Sequence, residues 1–327
     1  MAESLINSIA RLRVLEKGLL TRETVGRLKS AKSFEECLRI LGESGWGTPE
    51  PGSDEIDSLT DSRLRDTYAL MDELMPKRYK KLVEVFRMRH DLTNIKLLYK
   101  LRLRGVSADA APLDRCGAVD GETLKKAVAR GDYSMLPKRI AGELEALDVD
   151  TYRGADPARV SYRLDSAFIE YAAGSGFAFA KQYFGALADF TNILGLVRGV
   201  GADMLLPCGE LDAAKLQKLK AALAASPEKA GEAIKGPMES GALLEAARAA
   251  VEDYAKTGRV SAIENARDEY LLALASERKS DIDSPAPIVG FMLAREREAE
   301  VVRLILTAKR SGMDSRAADE RSVALYG

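Results

Sequence analysis

At 327 residues the chain has material for about two domains and a sizeable core. Hydrophobic residues at 46% and charged residues at 30% exclude a disordered or fibrous protein, and aromatics are scarce at 6%, with Trp46 the one tryptophan. Forty-nine basic residues against fifty acidic ones leave a net charge of −1, which removes any overall case for nucleic acid or an anionic membrane surface and leaves only local patches.

The chain opens on MAESLINSIARLRVLEKG, polar and amphipathic, without the apolar stretch and cleavage site of a signal peptide. Nowhere does a run approach the ~18 apolar residues of a membrane-spanning helix. Helical periodicity then runs almost throughout, rich in Ala, Leu, Glu, Lys and Arg, and no rhythm of short branched runs with crossover helices appears. The fold class is all-α. Gly18 opens a short pattern, Gly-Leu-Leu-Thr-Arg-Glu-Thr-Val, in which Thr21 is a helix N-cap and Leu20 meets Val25 as a hydrophobic staple. Gly45–Gly52 reads as a loop. A long helix covers Tyr79–Leu103 and carries His90, read as sitting at a helix start, and the segment DLTNIKLLYKLRLRG from Asp91. At ~100° per residue, Asp91 and Asn94 share a side with Ile95 and Leu98, while Lys96, Lys100 and Arg104 form a basic stripe opposite. So wide an apolar arc implies burial on most faces, with Asp91 and Asn94 bonded to neighbouring helix ends or loops.

The capped start recurs from Gly117, with Asp120 as cap and Val119 against Leu124. It recurs again from Gly209, with Asp212 as cap and Leu211 against Leu216. The Asp-led helix recurs as DFTNILGLVRGVG from Asp189, with Asn192 and Arg198, and as EAEVVRLILTAKRSG from Glu298, with Val301 in the Asn position and Arg303. The caps lie 99 and 92 residues apart and the closing segments 98 and 109 apart. Three units follow, at 1–105, 106–201 and 202–327, in a threefold arrangement or short array of helical subdomains. Between them, Tyr152–Pro157 and Asp283–Pro287 read as loops, and Gly174-Ser175-Gly176 as a break within the helical stretch Leu164–Val197.

Chemistry is sparse. A single histidine excludes His-cluster metal sites, and no GxxxxGK[ST] phosphate loop is present. Cys37, Cys116 and Cys208 are too few and too separated for a disulfide framework or a CxxC site, and read as buried, reduced thiols of a cytosolic chain. The run Arg295, Glu296, Arg297 and Glu298, with Glu300 and Arg303, reads as a solvated, ion-paired helix face. No catalytic, cofactor-binding or metal-ligating residue is assigned. Thr21, Asp91, Asn94, Asp120, Asp189, Asn192, Asp212 and Glu298 are assigned structural roles.

With its three units, the chain resembles the C subunit of bacterial and archaeal V/A-type rotary ATPases, the counterpart of the d subunit of the eukaryotic vacuolar enzyme. The resemblance runs along essentially the whole chain. It is carried by ARLRVLEKGLLTRETVGRLKSAKSFEECLRIL, RHDLTNIKLLYKLRLRG, DFTNILGLVRGVG and PAPIVGFMLAREREAEVVRLILTAKRSGMDSRAADERSVALYG, in that order and spacing. It implies a funnel of three pseudo-threefold-related helical subdomains. In the family that funnel sits peripherally on the cytoplasmic face of the membrane proteolipid ring and receives the central rotor stalk. A non-catalytic coupling part without cofactor, nucleic acid or membrane span is then expected, passing torque for proton or sodium transport. Lys96, Lys100, Arg104, Arg198 and Arg303 are the candidates for meeting an acidic partner. Two other readings stay open: a generic helical adaptor that binds proteins through a groove, and a carboxylate enzyme built on Glu296, Glu298 and Glu300.

Overall fold

The computed structural model describes residues 5–151, 156–225, 227–234, 241–312 and 325–326. Among them every regular element is helical and none is a strand. The first elements are α1 (Leu5–Leu15), α2 (Arg22–Ser30), α3 (Phe34–Glu43), α4 (Glu55–Leu74) and the long α5 (Lys80–Leu103). There follow α6 (Gly121–Arg130), α7 (Lys138–Thr151), α8 (Pro157–Ala173) and α9 (Ala178–Val197). The last are α10 (Ala213–Ala225), α11 (Gly241–Thr257), α12 (Ser261–Glu277) and α13 (Ala286–Arg310). The break between α8 and α9 falls at the Gly174–Gly176 stretch, where Gly176 takes φ 87°, a conformation that L-residues rarely adopt. Of the loop expected at Tyr152–Pro157, residues 152–155 lie outside the described residues, as do residues 313–324 of the C-terminal segment.

Two compact units divide the chain. One joins the residues up to Val83 with those from Asp268 onward; the other runs from Glu84 to Arg267. In the first unit, α13 supplies Val301, Val302, Ile305 and Leu306 to a core completed by Leu20, Val25, Leu28, Ile40, Leu41, Ile56 and Leu59. Segments far apart in sequence thus share one interior, and hydrophobic burial holds them together. Three helix starts in this unit are capped locally. Thr21 accepts from the Thr24 N–H, Ser33 from Glu36, and Asp54 from Ile56 and Asp57.

The second unit concentrates the scarce aromatics. The Phe86 ring lies 4.9 Å from Phe184 and 5.1 Å from Tyr183, and Phe168 meets Phe184 edge-on at 5.1 Å. These rings join α5 to α8 and α9. Asp120 caps α6 by accepting from the Thr123 N–H, and the Asp212 carboxylate accepts from Lys215 N–H at the start of α10.

Three local expectations need correction. His90 does not sit at a helix start: α5 begins ten residues earlier, at Lys80, because the apolar residues Leu82, Val83, Val85 and Phe86 extend its buried face. The charged run on α13 is ion-paired but not uniformly solvated. Arg295 and Glu298 are buried, since α13 is packed by elements of the first unit on several sides. Cys37 and Cys116 are buried, whereas Cys208 is exposed and takes φ 68°.

Candidate functional site

The most distinctive polar feature is one arrangement built three times. Asp91, Asp189 and Glu298 each lie in the middle of a helix and are buried. Each reaches a loop whose backbone leads into a capped helix. Asp91 accepts from the Ala118 and Val119 N–H groups at 2.9 and 3.1 Å. Asp189 accepts from Glu210 and Leu211 at 2.8 and 2.9 Å. Glu298 accepts from the Leu20 N–H with one oxygen and from Arg295 with the other, at 2.8 Å. Val119, Leu211 and Leu20 are the residues that precede the caps Asp120, Asp212 and Thr21. Each closing helix therefore grips the opening of the next repeat, and the last grips the first.

An asparagine one turn along the helix completes the grip in two copies. Asn94 donates to the Asp114 carbonyl and accepts from its N–H, both at 2.8 Å. Asn192 does the same to Leu206, at 3.0 and 2.7 Å. In the third copy Val301 cannot do this; Arg295 donates instead to the Gly18 carbonyl at 2.9 Å, as Arg87 does to Gly117 at 2.6 Å in the first copy. In the two asparagine-bearing copies the glycine that opens the pattern leaves room for the grip, whereas a Cβ on Gly18 would meet only Arg295 Nη2 at 3.5 Å. A Cβ on Gly117 or Gly209 would stand 2.1 Å from the carboxylate oxygen of Asp91 or Asp189. The repeated glycine is visible in the sequence but its cause is not, because the carboxylate that needs the space lies on another element.

Burial pushes all three carboxyls above their ordinary range, and the hydrogen bonds they accept pull part of the way back. Asp189 is raised to about 6. The other glutamates on α13 are also engaged: Glu296 accepts from the Tyr68 hydroxyl, and Glu300 pairs with Arg297 at 3.1 Å.

Three of the five basic candidates already hold carboxylates of this chain. Lys96 pairs with Asp165 of α8 at 2.7 Å, and Arg198 pairs with Glu264 at 2.9 Å. Arg303 pairs with Asp57 and Asp61 of α4 at 2.9 and 3.0 Å. Lys100 is half-buried and Arg104 exposed, and neither side chain has an ion pair among the described residues. One set of mixed donors is invisible in the sequence. His90, Asp114 and Cys116 place their N, O and S atoms within 4.8 Å of one another. No spacing motif announces it, since the loop after α5 folds back onto that helix.

Known proteins share this sequence pattern along nearly its full length. The pattern of the ATP synthase (C/AC39) subunit family matches residues 8–321. The C subunit of the A-type ATP synthase of Methanocaldococcus jannaschii is 25% identical, over 92% of this chain and 81% of that protein. Its namesake from Pyrococcus horikoshii is 26% identical, over 97% and 89%. The C subunit of the V-type ATP synthase of Deinococcus radiodurans is also 26% identical, over 90% and 84%.

Proposed function

Because the chain belongs to the ATP synthase (C/AC39) subunit family, we propose that it is the non-catalytic coupling subunit of a V/A-type rotary ATPase or ATP synthase. In this reading it is a socket on the cytoplasmic face of the membrane. It receives the central rotor stalk, rests on the proteolipid ring and passes torque between them for ion transport. The observation that carries the reading is the family match over nearly the whole chain, on a helical body whose polar interior serves to join loops to helices. Torque needs a part that does not shear internally, and buried carboxylates holding two donors each are directional and hard to slide. No helix among the described residues is long and apolar enough to cross a membrane, so attachment would run through the other subunits.

The three sequence units at 1–105, 106–201 and 202–327 are part of the proposal, as pseudo-threefold-related subdomains that each hand a closing helix to the next. Of the five basic candidates for an acidic partner, Lys100 and Arg104 stand first, since Lys96, Arg198 and Arg303 already hold carboxylates of this chain. The test is reconstitution with separately purified central-stalk subunits and, in parallel, with detergent-solubilised proteolipid ring. A one-to-one complex with the stalk supports the socket. Absence of a complex with either partner at any salt concentration favours the general helical adaptor instead.

A further inference from the structure

We propose that His90, Asp114 and Cys116 form a binding site for a thiophilic divalent transition-metal ion, of which Zn2+ is the type. Nitrogen, oxygen and sulfur donors together select zinc-like ions over the oxygen-loving Mg2+ and Ca2+. The donor atoms lie within 4.8 Å of one another, and His90 Nδ1 stands 2.6 Å from Asp114 Oδ2. Metal–ligand distances of ~2.0–2.3 Å require only small side-chain movements from that starting point. Cys116 is 3% exposed, while the His90 and Asp114 side chains are 17% and 32% exposed. The sulfur forms the floor, and water can reach the fourth coordination position.

The loop that carries two of the donors is already fixed. Arg87 donates to the Cys116 and Gly117 carbonyls at 3.1 and 2.6 Å, Asp91 holds Ala118 and Val119, and Asn94 clasps Asp114. Arg87, His90, Asp91 and Asn94 follow helical spacing along one face of α5, so a single helix both supplies a ligand and pins the others. That pinning spares a metal much of the ordering cost of a flexible loop.

The repeats provide an internal control. The second copy keeps Asp189, Asn192 and Cys208 but has Ala188 in the place of His90 and Leu206 in the place of Asp114. The third has Arg297, Leu15 and Lys17 at the three donor positions. The carboxylate grip forms in both, so it does not require His90 or Asp114. In the first copy alone, His90 pairs with Asp114, which also accepts from the Cys116 N–H at 2.7 Å, and a metal would draw on the donors gathered there.

On binding, the His90–Asp114 hydrogen bond opens. With neutral imidazole, the Nδ1 proton moves to Nε2 as Nδ1 coordinates. The thiol proton passes to solvent, so one proton is released per ion. The experiment takes the full chain, reduced and stripped with chelator, and titrates it with Zn2+ by calorimetry in two buffers and with Co2+ by absorption spectroscopy. One ion per chain is expected, with about one proton released and a cobalt–thiolate charge-transfer band. His90→Ala and Cys116→Ser should each weaken binding about tenfold or more, and Cys208→Ser should leave it unchanged. Since Ala188 fills the equivalent place in the second copy, His90→Ala should keep its helical spectrum. Failure of the reduced wild-type chain to bind either ion saturably would overturn the site, as would affinity and charge-transfer band that persist in both variants.

Discussion

At the scale of single residues, the caps and the gripping carboxylates differ in how openly the sequence shows them. Thr21 and Asp120 bond an N–H three positions on, so their role lies within one short window of sequence. Asp91 and Asn94 were legible as buried groups bonded to loops, but their partners lie 20 to 28 positions away. No local pattern identifies those loops. The glycines are the other half of the contact. Gly209→Ala would drive a methyl group against Asp189 and displace both of its hydrogen bonds, for a loss of about 2–4 kcal/mol in chemical denaturation. A loss within ordinary surface-substitution range would show that the loop yields instead. Asp189 also sets a pH dependence. Its carboxyl has an ordinary value of 3.8 and stands at about 6 in the folded protein, raised mainly by burial. The native state therefore retains a proton that the unfolded chain has released. Its stabilising contribution is complete below the unfolded value and is lost as pH rises through the folded one. Relative to Asp189→Asn, wild-type stability should fall by roughly 3 kcal/mol from about pH 4 to about pH 7. Denaturation curves at several pH values check this, and a constant difference between the two proteins contradicts it.

Between elements, the sequence showed the kind of structure more clearly than its limits. Period and composition mark helices, but a buried helix such as α5 has no polar punctuation where its functional stretch begins, so His90 looked terminal although it lies inside. The same loss of contrast hid the burial of Arg295 and Glu298, whose charge pattern is that of a surface helix while α1, α3 and α4 pack against α13. One tie between elements was unreadable for a simpler reason: it ends on backbone. Lys309, near the end of α13, donates to the Lys29 and Ala31 carbonyls at 2.7 and 2.6 Å, where α2 terminates. A cation there satisfies carbonyls that lack helical partners and opposes the negative end of the helix dipole. Lys309→Met keeps the aliphatic stem and removes the donors. It should cost about 1–3 kcal/mol, read from the midpoint of urea unfolding, with an unchanged helical spectrum.

At the scale of the whole molecule, repetition was the informative signal. Three stapled starts and three closing helices were visible because their spacing survives while most of the side chains between them differ. Hidden from that reading was the offset, in which each closing helix serves the following start rather than its own. Nor could charge alone rank the basic candidates, because their carboxylate partners come from other helices. Lys100→Glu combined with Arg104→Glu should weaken the complex with an acidic partner about tenfold or more at low salt. The difference from wild type should shrink as added salt shortens the screening length from ~10 Å at 0.1 M to ~3 Å at 1 M. Equal affinities for the two proteins at low salt would remove these residues from the interface while leaving the socket reading intact.

The grip of Glu298 on Leu20 spans 278 positions, and a ribosome delivers its two halves at very different times. At ~5–20 residues per second, Leu20 emerges roughly 15–55 s before its acceptor. Meanwhile Asp91 and Asp189 meet partners only 28 and 22 positions downstream. The body that is begun first is finished last. Throughout the wait, the nascent segment holding Val25, Leu28, Ile40 and Leu41 has no α13 to cover it. Thr21, Ser33 and Asp54 then gain a second use: their caps bias α2, α3 and α4 toward helix locally, so that less order remains to be gained when the end of the chain arrives.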